Sequence, residues 1–216
     1  MEQIIITGVG SNMQGVGRLP DGRAVFVPGA LPGERVSIAL TRDSGRFCEG
    51  RVVEVLEASA HRTEPDCEYY GRCGGCQLRH GDYECAMAMK RTRVDDALRR
   101  IAGLEAPDVR ETLGCFPQNR TRNKAEYPIT NGVIGMRPQK GASVIPVNDC
   151  LLQHPMSIAV MRAAREYMRG SRINGWLVTR INRAGDIMAV LSTAARRHGF
   201  ADFPKLTACA AFIIAP

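Results

Sequence analysis

Residues 16–27, VGRLPDGRAVFV, hold two short runs of strand-forming residues around a Pro20-Asp21-Gly22 turn. Proline presets the backbone for a turn and glycine adopts positive φ without a steric penalty, so this stretch predicts a β-hairpin. Similar runs flank it, which extends the prediction to five strands: Gln3–Ile6, Val16–Leu19, Ala24–Val27, Val36–Thr41 and Arg46–Leu56. Five short strands separated by Gly/Pro turns are typical of an OB-like β-barrel, which we place at residues 1–58.

The rest of the chain mixes helices with strands. Apolar residues spaced by three and four predict a helix from Tyr83 to Ile101, capped by Asp82, and a second helix from Met156 to Met168. The predicted strands are Asn119–Tyr127, Gly132–Met136, Trp176–Asn182, Ile187–Ser192 and Cys209–Ala215. The fold class is therefore α+β, with a cysteine loop and helix at residues 59–104 and a mixed α/β central domain at residues 105–216. Because the last run ends at Pro216 without a following turn, we expect the chain to stop inside a larger protein.

The charge is unevenly distributed. The formal net charge is +7, and 25 of the 29 basic residues are arginine, the side chain best suited to bidentate phosphate contact. Residues 1–66 carry 7 basic and 9 acidic residues, so all of the excess positive charge lies in residues 67–216, where it amounts to +9. This distribution favours RNA as a partner of the second part of the chain, although arginine-rich codon usage would give the same composition. No obligate protein partner is evident.

The first residues of the sequence, Met1–Ile5, do not have the basic start and long apolar core of a signal peptide, and no apolar run reaches membrane-spanning length. We therefore expect a cytoplasmic protein without a membrane partner. Disulfides are rare in that reducing compartment, so the eight cysteines indicate a metal site or reactive thiols.

Three cysteines, Cys67, Cys73 and Cys76, lie within ten residues and are separated by glycines that let the backbone turn tightly. Three close cysteines plus one remote cysteine are typical of iron–sulfur ligation, whereas structural zinc sites more often use two separated Cys-x2-Cys pairs. The spacing therefore favours a cluster over zinc.

The fourth ligand is open on spacing alone. The candidates are Cys48, Cys85, Cys115, Cys150, Cys209, His61 and His80. Cys85 falls within the predicted helix, where a small buried thiol is the commoner role. Cys150 follows Asn148-Asp149 in a polar turn and is favoured, because a loop cysteine reaches a metal without distorting regular structure.

A basic segment follows the first helix. Arg120, Arg122 and Lys124 alternate, so in an extended strand they would project from one face and could contact phosphates. A solvated sheet face that binds nothing would show the same pattern. Arg137 and Lys140, on the next hairpin, would enlarge the basic patch if they join that face.

Several strings together resemble one family, the RNA uracil-5-methyltransferases that carry an N-terminal TRAM barrel, and in particular its iron–sulfur branch that acts on 23S rRNA. In chain order, the strings are Phe26–Glu34 (FVPGALPGE), Cys67 with Gly74–His80 (GGCQLRH), Arg122–Tyr127 (RNKAEY) and Asp149-Cys150. The resemblance implies that Cys67, Cys73, Cys76 and Cys150 ligate a [4Fe–4S] cluster. It also implies RNA contacts by Arg122 and Lys124 and favours ribosomal over transfer RNA.

The sequence departs from that family after residue 170. No strand, glycine loop and helix suited to S-adenosyl-L-methionine follow, and no late Cys-Pro segment supplies a nucleophile. The resemblance implies that in the full-length protein a thiolate adds to uracil C6, C5 attacks the donor methyl group and a carboxylate removes the C5 proton. We therefore expect no catalytic or S-adenosyl-L-methionine-binding residue in this chain, and we expect the full-length protein to bind that cofactor.

Two other functions fit the same residues. The first alternative is a stand-alone RNA-binding module with a zinc or iron–sulfur site, for which the chain end would be genuine. The second is a cluster-based redox sensor, which would require a reversible redox change that alters binding.

Overall fold

A computed structural model of the chain describes residues 1–193 and the backbone of residues 209–215. The chain forms two compact units. The first contains residues 1–71 and 76–114, and the second contains residues 72–75 and 115–216. The proposed three-part boundaries at residues 58 and 104 stay a prediction.

The first unit contains the predicted five-stranded barrel. Its strands are β1 (Glu2–Val9), β2 (Gly15–Arg18), β3 (Ala24–Val27), β4 (Arg35–Asp43) and β5 (Phe47–Glu57). They close in the order β1-β2-β3-β5-β4, antiparallel except where β3 pairs with β5. Alternate residues point inward, among them Ile4, Val25 and Ile38, because successive side chains of a strand face opposite sides. Gly22 lies in the predicted turn with φ +86°, and its N–H donates to Leu19 O.

A buried ion pair closes the loop between β3 and β4. Glu34 is fully buried, and its carboxylate accepts hydrogen bonds from the amides of Leu31 (2.8 Å) and Ser59 (3.3 Å). Arg62 donates to both carboxylate oxygens through Nε and Nη2, the latter at 2.7 Å, and also to Gly29 O. The string FVPGALPGE therefore ends in Glu34, whose carboxylate accepts the hydrogen bonds that join this loop to the segment after the barrel.

The helix α1 (Tyr83–Arg100) begins where the sequence predicts. The Asp82 side chain accepts a hydrogen bond from Cys85 N at 2.8 Å and so caps the first turn. Cys85 and Met89 are buried against Val9 and Leu31, which confirms that Cys85 is a core residue.

The second unit is a five-stranded sheet with one helix. Its elements are β6 (Lys124–Thr130), β7 (Val133–Ile134), α2 (Pro155–Tyr167), β8 (Gly175–Ile181), β9 (Ile187–Thr193) and β10 (Cys209–Ala215). The strand order is β10-β9-β8-β6-β7, and only β10 and β9 run parallel. The helix α2 covers one face, where Ser157 and Thr179 share a buried hydrogen bond at 2.9 Å. The predicted α+β class is confirmed, and none of the described helices is long and apolar enough to cross a membrane.

The predicted strand over residues 119–127 is wrong in its first half. Arg120 has φ +61°, and the amides of Arg120 and Arg122 donate to Leu151 O and Leu152 O. The segment before β6 therefore runs beside residues 151–152 and hydrogen-bonds to their backbone. Its charged side chains do not alternate along a strand. The predicted strand over residues 132–136 is only the two-residue β7.

Candidate metal centre and nucleic-acid interface

The cysteine segment is built from tight turns. Tyr70 N donates to Cys67 O at 2.9 Å, and Gly71 has φ +79°, a conformation that favours glycine. The Tyr70 hydroxyl donates to Gln77 O at 2.8 Å and contacts His80 Nδ1, so the residues around Cys76 are tied back to the first turn. Gly75 N approaches the Cys73 sulfur at 3.4 Å, as an amide that donates to a thiolate would.

The middle of this segment belongs to the second unit. Gly74 N donates to Arg137 O and Gln139 N donates to Arg72 O, which adds residues 72–75 to the hairpin after β7. A Cβ at Gly74 would lie 2.9 Å from Pro138 O, so a larger residue would not fit there. Cys73 therefore lies in the second unit, while Cys67 and Cys76 lie in the first.

Cys150 is held by a loop in the second unit. Arg120 forms a bidentate ion pair with Asp149, with N–O distances of 2.8 and 2.7 Å, and donates to Cys150 O at 2.9 Å. The hydrogen bond from Arg120 lowers the pKa of Asp149 to about 2. Gln153 N closes the turn on Cys150 O. The guanidinium of Arg120 is thus engaged in positioning the loop.

The remaining described cysteines differ in their surroundings. Cys48 and Cys85 are buried, and burial raises the pKa of both thiols, so they are inert core residues. Cys115 is exposed, whereas the four predicted ligands are all half-buried. The imidazole candidates have partners: His61 bonds Asp82 at 2.9 Å, and His80 bonds Tyr70.

The four predicted ligands are therefore divided, two in each unit. None of the seven cysteines in the described part forms a disulfide. Over the same residues, no three His, Cys, Asp or Glu side chains are grouped so that they could hold a metal ion. Their thiol chemistry, their partial burial and the nearby amide donor at Gly75 suit a metal. The metal site stays a prediction.

The predicted RNA-binding residues fall into two places in the second unit. Arg122 lies just before β6 and Lys124 is its first residue, and both are exposed. Lys124 forms an ion pair with Glu126 at 2.5 Å. Arg137 and Lys140 lie on the hairpin closed by the bridge between Met136 and Ile145.

Sequence reasoning missed Trp176 on β8. The guanidinium carbon of Arg137 lies 5.1 Å from the centre of the Trp176 ring, yet that side chain is still 40% exposed. The sequence could have identified this residue, because Trp176 is the single tryptophan of the chain and occupies an outward position in an alternating strand.

Comparison with known proteins supports the predicted resemblance. Residues 2–53 match the TRAM domain. An RNA methyltransferase of Halalkalibacterium halodurans, itself named as uncharacterized, is 35% identical over 80% of this chain and 41% of its own length. One of Caldanaerobacter subterraneus subsp. tengcongensis, also named as uncharacterized, is 33% identical over 88% of this chain and 45% of its own length. The chain thus carries a TRAM domain and is homologous to proteins named as RNA methyltransferases, and it spans less than half of their length.

A solved structure shares the fold. It is the tRNA (uracil-54, C5)-methyltransferase of Pyrococcus abyssi in complex with S-adenosyl-L-homocysteine. The TM-score is 0.61 at 19% sequence identity, over 93% of this chain and 48% of the other. The two proteins therefore share a fold over the matched part of this chain.

Proposed function

We propose that this chain is the RNA-recognition and iron–sulfur portion of an S-adenosyl-L-methionine-dependent RNA uracil-5-methyltransferase that forms 5-methyluridine in 23S rRNA. The observation that carries the proposal is the order of its parts: a TRAM barrel, a three-cysteine segment and a basic central domain, with similarity to RNA methyltransferases through all three. The shared fold with a uracil-5-methyltransferase supports the reaction class. Binding of the methyl donor and catalysis belong to the full-length protein.

The proposed ligands of a [4Fe–4S] cluster are Cys67, Cys73, Cys76 and Cys150. Cys67 and Cys76 lie in the first unit, and Cys73 and Cys150 lie in the second. Such a cluster would supply covalent cross-linking, which stabilises a fold because the free energy of metal binding becomes free energy of folding. Arg120 would serve this site by holding the Cys150 loop through Asp149.

The proposed RNA contacts are made by exposed cations of the central unit. Arg122, Lys124 and Lys140 are exposed and Arg137 is half-buried. Arginine and lysine at such positions neutralise phosphates and release counterions, so affinity falls steeply as salt rises. An RNA contact by Arg120 stays a prediction from the sequence. In the structure its guanidinium forms an ion pair with Asp149.

Anaerobic purification followed by iron, sulfide and zinc analysis tests the metal site. We expect about four iron atoms per chain. Cys76→Ser should lose most of the iron, whereas the matched control Cys115→Ser should keep it, because Cys115 is exposed and is not a proposed ligand. Stoichiometric zinc without iron would refute the cluster.

Binding of labelled RNA across a salt series tests the RNA role separately. We expect the slope of log affinity against log salt to become shallower by about 0.7 for each phosphate contact removed from a single strand, for example in Lys140→Ala. A fragment of 23S rRNA should compete more strongly than transfer RNA. Affinity that does not change with salt would contradict RNA binding, and equal competition would contradict the choice of ribosomal RNA.

A further inference from the structure

The face of the central sheet opposite α2 carries an unusual set of side chains. Leu177 and Thr179 of β8 are buried on the helix side, so their neighbours Trp176, Val178 and Arg180 point to the other face. On the helix side, Leu177 and Thr179 are fully buried, and Thr179 forms a hydrogen bond with Ser157 of α2. In the described part of the chain, the opposite face leaves Trp176 40% and Met188 37% exposed.

The strand register orders these residues into rows. Trp176 lies between Pro128 and Ser192, and Val178 lies between Glu126 and Val190. A third row places Lys124, Arg180 and Met188 side by side. Because each residue of a strand advances about 3.4 Å, the cationic row lies about 13–14 Å from Trp176 on the same face.

Charge distinguishes this face from an ordinary uncovered apolar surface. Arg137 stands over the indole with its guanidinium carbon 5.1 Å from the ring centre. Arg180 is exposed and forms no ion pair with any residue that the structure describes. Among the residues of this face that the structure describes, the carboxylate of Glu126 is paired with Lys124. The surface therefore offers an aromatic plane and unneutralised positive charge, the combination that binds single-stranded nucleic acid.

We propose that this face is a stacking platform for unpaired RNA, in which one base stacks on the Trp176–Arg137 pair and Arg180 contacts the phosphate backbone. We define it as the Trp176 platform: Trp176, Arg137, Val178, Arg180 and Met188. The inference deepens the proposed function, on which it rests, by assigning the recognition of a splayed-out nucleotide to particular residues. Stacking on an aromatic ring tolerates any base, so the platform selects unpaired RNA without reading its sequence.

Intrinsic fluorescence tests the platform directly, because Trp176 is the single tryptophan of the chain. Titration of the full chain with a short single-stranded oligouridine should quench its emission. A fully paired RNA duplex of equal charge should bind without comparable quenching, since its bases are not available for stacking.

Anisotropy with fluorescein-labelled oligouridine measures the affinity of variants. Trp176→Ala should bind the oligouridine about 5- to 150-fold more weakly than wild type, because it loses the stacking of one base. Trp176→Phe keeps an aromatic plane and should recover most of the affinity, and Arg137→Lys should bind more weakly than wild type because it keeps the charge but loses the planar group. The control Val133→Ala, exposed on the edge strand β7 of the same sheet, should bind like wild type.

The outcomes separate the two proposals. If the wild type binds oligouridine without quenching, and Trp176→Ala and Trp176→Phe bind equally tightly, the platform is refuted while the RNA role stands. If the wild type binds no RNA at low salt, both proposals fail. Quenching is measured on the unmodified chain, so this part of the test does not depend on the folding of any variant.

Discussion

Replacement of Glu34 by alanine should destabilise the barrel unit more than any other single loss of an ion pair there. Glu34 is fully buried and accepts hydrogen bonds from Arg62 and from two backbone amides. Removing one partner of a buried pair costs about 3–5 kcal/mol, because the remaining charge is left without compensation. The Arg62 side chain is 23% exposed and can reach water, so we expect the lower end, about 3 kcal/mol.

Thermal melting followed by circular dichroism measures this loss. For a chain of this size about 3 kcal/mol corresponds to a fall in Tm of about 6–12 °C. Glu57→Ala is the matched control, because it removes a glutamate carboxylate from an exposed ion pair with Arg35. The side chain of Glu57 is 65% exposed and that of Arg35 is 43% exposed, so this variant should leave Tm unchanged within error. Hydrogen exchange at Leu31 N locates the effect, since that amide loses its acceptor only in Glu34→Ala.

The pH dependence gives a second measurement of the same pair. Burial by itself raises the pKa of Glu34, but hydrogen bonds from Arg62 and Leu31 N outweigh it, so the pKa lies below the ordinary 4.5. A carboxylate with a lowered folded-state pKa contributes its full stability above the unfolded-state pKa and loses it as pH falls through the folded-state value. Glu34→Gln should remove that acid-dependent part. Equal Tm values for the alanine variants of Glu34 and Glu57 would refute the reasoning.

Three further predictions concern other parts of the chain. Gly135→Ala should destabilise the central unit by about 1–3 kcal/mol or more, measured by urea unfolding, because its Cβ would lie 1.9 Å from Ile145 O. Gly8→Ala is the control for an added methyl group, because that Cβ would lie 3.8 Å from Val16 Cβ, an ordinary contact distance, and Gly8 does not have a positive φ. Tyr127→Phe should stabilise the metal-free chain by about 1 kcal/mol, since the hydroxyl is buried and has no hydrogen-bond partner in the described part; a loss of stability would reveal an unseen partner. Asp82 raises the pKa of His61 by hydrogen bonding, so Asp82→Asn should return that pKa toward 6.5 in an NMR titration. The helix cap should persist, because asparagine also caps helices. The His61–Asp82 pair stabilises the fold below the unfolded-state pKa of His61, and this stabilisation is lost as pH rises through the folded-state pKa.

The barrel was predictable because its signals are local. Gly/Pro turns and alternating apolar residues placed all five strands within a few residues, and Asp82 marked the start of α1. The basic segment was less predictable, because its alternating charges resemble a strand. Its backbone bonds instead with Leu151 and Leu152, about thirty residues later in the chain, and no periodicity of the segment itself encodes that pairing.

The cysteine site shows why long-range pairing limits such prediction. Spacing identified three thiols and left the fourth ligand open. In the structure Cys48 and Cys85 are buried, whereas Cys150 is half-buried on a loop held by Arg120. Nothing local indicated that Cys73 would join a different unit from Cys67 and Cys76, because that follows from backbone bonds to Arg137 and Gln139. We expect loss of iron to lower the Tm of the chain, because the free energy of metal binding is also free energy of folding.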